Sequence, residues 1–397
     1  MAAMLVFGGC GNKTADRVTE NQTHKTENES NEPAEKEPAE DEDELKEENQ
    51  EEENQEEQST QDRETDAEED EEKAEIPEES TLDIDYTSVD GLRMEKGSRI
   101  SVVIKNTESD YWKAAKKGME QAVSDLNEYL GYKGDDAITC TIEGPKDENG
   151  VDEQVNILDM VLTENPVVVC LSAVDMSSCE AQLEAAQEDG IPVVMLDSGV
   201  KSDDDLVYAY CGTDNKAAGE EAAKQLCEAI KDAGEVAVMS HTQLSQSSKD
   251  RVEGFQEEIT KNHPNVSVVS VDYQPSKDDD PTEEESIEAV LEKYPDLKGY
   301  YATNQATSEA VLSVLDKHTD RSVQMIGVDM GDTQKKAIED GKEVGSVCQN
   351  PYGMGYATIV AGARASLGLE SDKKIDSGFQ WIDKNTIGLE EYARYLY

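Results

Sequence analysis

The chain has 397 residues, with 36 Lys plus Arg against 91 Asp plus Glu and a formal net charge of −55. So acidic a chain is unsuited to phosphate backbones and anionic lipid head groups, which are held by Lys and Arg, and no nucleic-acid partner is expected. No apolar run of about 18 residues is present, so no membrane-spanning helix is expected either.

The charge is uneven. Residues 1–90 hold 33 acidic and 7 basic side chains, a net of −26, and only Phe7 and Tyr86 of the aromatics. The opening MAAMLVFGGCGNKT places small residues before Cys10 and resembles the end of a bacterial lipoprotein signal, in which that Cys receives lipid. It departs from that pattern in having a short apolar run with no Lys or Arg before it, so the start is either truncated or the likeness accidental. Lipidation of Cys10 is the expectation. The stretch that follows, including EDEDELKEENQEEENQEEQ, cannot bury enough apolar surface to offset the entropy of ordering. It is expected to be a disordered acidic linker over residues 11–95, with an unperturbed span of roughly 50 Å.

From residue 99 the pattern becomes regular. RISVVIKN is a strand-like apolar run, and residues 110–130 then repeat apolar positions at helical spacing. AITCTIEG, PVVVCLSA and IPVVMLD are further strands, separated by helices through Leu158 and through MSSCEAQLEAAQEDG. The alternation continues with LVYAYCG, a helix over 214–231, EVAVMS, a helix over 248–261, VSVVSVDY and a helix over 282–293. LKGYYAT, a helix over 305–317, VQMIGVD, a short helix over 332–340, EVGSVCQ and a helix over 352–367 complete it. Near-continuous apolar strands alternating with helices predict parallel sheets covered on both faces. The strands are too many for one sheet, so the fold class is α/β with two doubly wound lobes. Ligands of such folds gather at the carboxyl ends of strands. Asn106, Asp197, Tyr273, Asn304, Asp329 and Gln349 stand there.

Catalytic signatures are missing. No GxGxxG follows a strand, and no GxxxxGK[ST] or GxSxG occurs. The four His are not at ligand spacing, and no Cys pair is in CxxC spacing, so no metal, no cofactor and no enzyme activity are expected. The six Cys after Cys10 are expected as free thiols, with a disulfide among them as the alternative.

Residues 99–397 resemble the type I periplasmic sugar-binding proteins of the ribose- and galactose-binding group. The likeness runs through VVIKNTESDYWKAAKKGMEQA, IPVVMLDS, YCGTDNKAAGEEAA, SQSSKDRVEGFQEEI with its R-x-x-GF pattern, YYATNQATSEAVLSVL, MIGVDMGDTQKKAI and GSVCQNPYGMGYATI. It implies two Rossmann-like lobes joined by a three-crossover hinge: 97–212 with 350–383 as lobe 1, and 213–349 with 384–397 as lobe 2. The crossings would fall near Gly212–Thr213, Gln349–Asn350 and Asp383–Lys384.

The resemblance also implies a ligand-binding set. Tyr111 and Trp112 stand where aromatics pack on a sugar ring, although adjacent helical residues cannot share one face, so one is expected to point elsewhere. Ser109 stands where Asn or Asp is common, Asp197 where a carboxylate takes sugar hydroxyls, and Lys249 where Arg is common. Tyr273 would close the other side of the ring, and Asn304, Asp329 and Gln349 would serve from lobe 2 and the hinge. Arg251 is expected to pack or pair locally, and Trp381 to be core.

The implied function is a substrate-binding lipoprotein that captures a monosaccharide or related small polar ligand and delivers it to ABC permease subunits. The alternative is a sugar sensor that signals to a membrane histidine kinase or chemoreceptor. Either would be an extracytoplasmic monomer held at the outer face of the cell membrane, in the Gram-positive manner, through Cys10.

Overall fold

The computed structural model describes residues 82–397 apart from 147, 202–204 and 276–280. Cys10 and the acidic stretch up to 81 lie outside the described residues.

Two six-stranded sheets form, each with helices on both faces. The first is built from β1 (Arg99–Val103), β2 (Thr139–Glu143), β3 (Val168–Leu171), β4 (Val193–Leu196), β5 (Ala209–Gly212) and a late strand, β11 (Lys374–Asp376). Its order is β11-β5-β4-β3-β1-β2, and every pairing is parallel. The second contains β6 (Gly234–Ser240), β7 (Val266–Tyr273), β8 (Leu297–Ala302), β9 (Gln324–Val328), β10 (Gly345–Gln349) and β12 (Phe379–Asp383). Its order is β12-β10-β9-β8-β6-β7, with β12 alone antiparallel. β3 and β4 are buried at every residue, which explains their unbroken apolar sequence.

Helices α1 (Asp110–Leu130) and α9 (Pro351–Ser366) cover one face of sheet 1, and α2 (Val151–Thr163) and α3 (Glu180–Glu188) the other. In lobe 2, α4 (Asn215–Ala229) and α5 (Gln246–Asn262) cover one face of sheet 2. On its other face lie α6 (Glu283–Lys293), α7 (Gln305–Leu315) and α8 (Asp332–Asp340). The pairs α1–α9 and α4–α5 approach closely because glycines face backbone. A Cβ on Gly118 would lie 2.0 Å from the Tyr352 carbonyl oxygen, and one on Gly254 would lie 2.1 Å from that of Lys216.

The chain leaves sheet 1 after Gly212, returns to lobe 1 at Pro351 through α9, and enters sheet 2 again at Phe379. The third crossing is therefore between Asp376 and Phe379, earlier than the expected Asp383–Lys384. Gly378, at φ 74°, makes the turn. The strand FQWID then belongs to lobe 2, because Phe379 and Trp381 pack on that lobe's core and Ile382 is fully buried.

The expected linker also ends sooner than residue 95. Val89, Leu92 and Met94 are buried against the lobe 1 core. The Leu82 amide donates to Asp372 at 2.8 Å, and the Asp372 amide donates to the Tyr86 hydroxyl at 2.8 Å. Once apolar residues interrupt the acidic run, the chain gains enough burial to fold. The six cysteines from Cys140 to Cys348 are free thiols.

Candidate functional site: a polar cleft between the lobes

The carboxyl ends of both sheets face a cavity of about 710 Å³, within the range of small-molecule sites. The lobes also touch beside it: the Met176 amide of lobe 1 donates to the Leu244 carbonyl of lobe 2 at 3.0 Å.

Helix α1 begins at the cleft. Asn106 Oδ1 accepts from the amides of Glu108 (2.7 Å) and Ser109 (3.0 Å), and Ser109 then caps the helix by accepting from the Trp112 amide at 3.3 Å. This turn delivers both Tyr111 and Trp112 to the cavity wall. Their rings meet edge to face, with centroids 5.2 Å apart. The expectation that one would point elsewhere fails, because the first turn of α1 is end-on to the cleft and both flanks of the helix reach it. Trp112 is 2 % exposed, and its indole Nε1 lacks a hydrogen-bond partner.

Asp197 and Asp329 occupy corresponding places. Each follows the fourth strand of its sheet, each has a positive φ (57° and 75°), and each donates its amide to the next strand, at Cys211 and Val347. A strained backbone at a non-glycine residue is a signature of functional sites. The Asp197 carboxylate accepts from the Tyr111 hydroxyl at 2.8 Å and Ser172 Oγ at 3.3 Å, and pairs with Lys105 Nζ at 2.8 Å. Burial pushes its pKa up, but Lys105 and Arg251 outweigh that and hold it below the usual range. Burial likewise opposes the charge on Lys105, and Asp197 and Glu148 more than offset it. Asp329 accepts from Gln349 Nε2 at 2.8 Å and the Gln305 amide at 3.2 Å, and burial raises its pKa despite Arg251.

Ser109, Tyr111, Trp112, Asp197, Asn304, Asp329 and Gln349 all line the cavity. Asn304 also caps α7, accepting from the Thr307 amide at 2.9 Å. Lys249 and Tyr273 do not line it. Lys249 lies on α5 two residues from Arg251, about 200° around the helix, and its Nζ sits 3.9 Å from Met176 Sδ. Tyr273 ends β7, and the next two residues, Gln274 and Pro275, reach the cleft instead.

Arg251, which was expected to pack or pair locally, does pair within lobe 2, but it is also a buried cation that lines the cavity. It donates from Nε to Asn215 at 2.8 Å and from Nη1 to the Thr303 carbonyl at 2.7 Å. Sequence reasoning also passed over Lys105, Glu148 and His241. Lys105 ends the apolar run VVIK and His241 follows AVMS, so the strand-end rule, applied one residue earlier or to every strand, would have found both. Burial, then Lys105 and Arg251, keep His241 well below its ordinary pKa and therefore neutral. Glu148, from lobe 1, faces it at 4.0 Å, and burial raises the Glu148 pKa. The cleft thus offers charge-paired carboxylates and cations with a neutral imidazole, an arrangement that suits a compact ligand with many hydroxyl groups.

Comparison with known proteins agrees with this architecture. Residues 100–370 match the family described as periplasmic binding protein domain. The ribose import binding protein RbsB of Salmonella typhimurium is 21% identical over 256 residues, covering 64% of this chain and 80% of that protein. The D-allose-binding periplasmic protein of Escherichia coli is 23% identical over 262 residues, covering 64% of this chain and 80% of that protein. Among solved structures, an ABC transporter solute binding protein from Agrobacterium vitis with bound D-fucose is 27% identical. Its TM-score is 0.69, and the match covers 76% of this chain and 100% of that one. A carbohydrate transporter solute binding protein from Agrobacterium radiobacter, in complex with D-arabinose, shares the fold at 23% identity and a TM-score of 0.68, over 76% of this chain and 99% of that one. Two doubly wound lobes, three crossings and a cleft at the strand ends, together with this match, place the chain in the periplasmic binding protein family, in its type I form.

Proposed function

We propose that this protein is an extracytoplasmic receptor that closes on a monosaccharide or a related small neutral polyol and delivers it to the permease of an ABC importer. The observation that carries the reading is the cleft itself. Two carboxylates on strained backbone, two buried cations, Asn304 and Gln349 surround a cavity of about 710 Å³, ample for a monosaccharide, with Tyr111 and Trp112 on one wall. Fixed donors and acceptors of this kind satisfy ring hydroxyls, and each unmatched one would cost about 1–3 kcal/mol. The relatives named for ribose and allose, and the solved relatives holding fucose and arabinose, support the same ligand class. Binding across both lobes shifts the open–closed equilibrium and needs no bond-making group. Attachment through Cys10 completes the proposal.

A thermal-shift screen of the purified protein against pentoses, hexoses, polyols, nucleosides and amino acids, followed by calorimetry on the hits, tests it. Stabilisation by a neutral sugar or polyol is expected. Stabilisation by amino acids or nucleosides alone would overturn the ligand class. Release from the membrane in a Cys10→Ser chain tests the anchor.

A further inference from the structure

Lobe 2 carries a second cluster of side chains at the amino-terminal ends of β6 and β7, whereas the cleft lies at the carboxyl ends. Cys227 on α4, Asp232 in the turn before β6 and His263 at the end of α5 each place one donor atom within 4.8 Å of the other two. The local backbone builds this arrangement. The Asp232 amide donates to the Cys227 carbonyl at 2.7 Å, folding the turn back under α4. The His263 amide donates to Ile259 at 2.9 Å, and the His263 carbonyl accepts from Val266 at 3.0 Å, fixing the end of α5 against β7.

Three features set the cluster apart. First, the imidazole stands between two carboxylates, with Nδ1 2.7 Å from Asp232 Oδ1 and Nε2 3.5 Å from Glu258 Oε1. A neutral ring can give its single N–H to only one of them, and Nε2 is buried with no hydrogen-bond partner. Second, Glu258 is buried, and Asn262 Nδ2 donates to its other oxygen at 2.9 Å, so Oε1 is held facing the ring. Third, Cys227 is fully buried, and its thiol is the only one of the six described cysteines without a hydrogen bond. Those of Cys140, Cys170, Cys179, Cys211 and Cys348 all have one.

We propose that Cys227 Sγ, His263 Nδ1 and the Asp232 carboxylate bind a divalent ion of the zinc class, with water in the fourth position and Glu258 accepting the proton of His263 Nε2. Sulfur and imidazole donors at a compact site select zinc over calcium or magnesium, which prefer oxygen ligands in larger number. On binding, the thiol proton passes to solvent and sulfur ligates as thiolate, while the ring keeps its one proton on Nε2 and donates it to Glu258. The orphaned nitrogen is thereby satisfied, and a carboxylate–histidine–metal arrangement results. Asp232 is 61% exposed, so an ion reaches the site from solvent. None of the four side chains lines the cleft. The ion would clip the α4–β6 turn to the α5–β7 turn and so fix the helix pair that carries Arg251 into the cleft.

The test uses the full chain, stripped with a chelator and titrated with zinc chloride against a chromophoric competitor, and in parallel with cobalt(II). One zinc per chain is expected, and the cobalt form should show a thiolate-to-cobalt charge-transfer band. Glu258→Gln should weaken zinc binding by about 10- to 100-fold. Asp232→Asn, an exposed substitution that leaves the core intact, should weaken it at least as much, and Cys227→Ser should remove the band. If the stripped chain binds no stoichiometric zinc, the ring is held by its two carboxylates alone and the proposal fails. It also fails if the cobalt form lacks the thiolate band, or if Asp232→Asn binds zinc as the unaltered chain does.

Discussion

Lys105 and Asp197 form a buried ion pair, 2.8 Å apart, with side chains only 4% and 5% exposed. Removing one partner of such a pair leaves the other charge uncompensated and costs about 3–5 kcal/mol, whereas replacing both with apolar groups of similar volume is often close to neutral. Asp197→Ala is therefore expected to abolish ligand binding and also to lower stability by about 3–5 kcal/mol. Asp197→Ala combined with Lys105→Met removes the uncompensated charge and should recover part of that stability, but not binding. Urea unfolding and calorimetry on the single and double variants check this. Because Asp197 is held below its ordinary pKa, its contribution is full above about pH 4 and is lost as pH falls through the lower folded value. The acid limb of the stability curve should therefore be shallower in the double variant. A double variant that binds ligand normally would remove both residues from the site.

Arg251 and Lys249 offer a direct contrast on one helix. Arg251→Lys keeps the charge and loses the planar fork, so affinity should fall by the worth of a charge-assisted hydrogen bond, about 1.5–3 kcal/mol. Lys249→Ala should leave affinity unchanged. The opposite result would restore the sequence-based choice of Lys249 as the ligand-facing cation.

Glu283 lines the cleft at the start of α6, and burial pushes its pKa up to about 7, against a smaller lowering by the hydrogen bond from Gln274. The folded state therefore holds a proton that the unfolded chain releases near pH 4.5. Its contribution is full below that pH and is lost as pH rises through about 7. Thermal melts from pH 5 to pH 8 should show this loss, and Glu283→Gln should abolish it, gaining about 1–2 kcal/mol at pH 8 after solvent screening. An identical pH slope in the variant would assign the titration to another group.

Gly254 lies against the Lys216 carbonyl, so Gly254→Ala must push α4 and α5 apart. A cost of about 1–3 kcal/mol is expected, with a weaker ligand affinity because Arg251 rides on α5. Gly388, with nothing near its missing Cβ, is the control, and Gly388→Ala should change little in either measurement.

These helix contacts also show how much the sequence revealed. Parallel sheets in two lobes follow from apolar runs such as VVVCL, where burial on both faces leaves no room for alternation. The R-x-x-GF pattern was recognisable, but its meaning required the close approach of α4 and α5: the glycine admits the neighbouring helix and the arginine reaches the cleft. Strand ends located Asp197, Asp329, Asn304 and Gln349. Lys105 and His241 were missed because charge or ring chemistry at the end of an apolar run is ambiguous until its partner is seen in the fold, Asp197 beside Lys105 and Glu148 facing His241 from the other lobe. Helix phase decided between Lys249 and Arg251, and no composition rule supplies that phase. The third crossing was misplaced because FQWID has equal strand character in either lobe, and only its antiparallel pairing with β10 assigns it.

The late return of α9 and β11 to the first sheet has a consequence for the order in which the protein can acquire its shape. Helix α9 is buried along most of its length against α1 and sheet 1, and β11 supplies that sheet's edge. As the chain grows from its amino end, residues 99–212 therefore lack both their covering helix and their outer strand until residues up to 376 have been made. By then all of sheet 2 except β12 is already present. The first lobe to be begun is thus left open until nearly all of the second has been made, and a nascent chain stalled before Pro351 would display the bare face of α1 to whatever holds it.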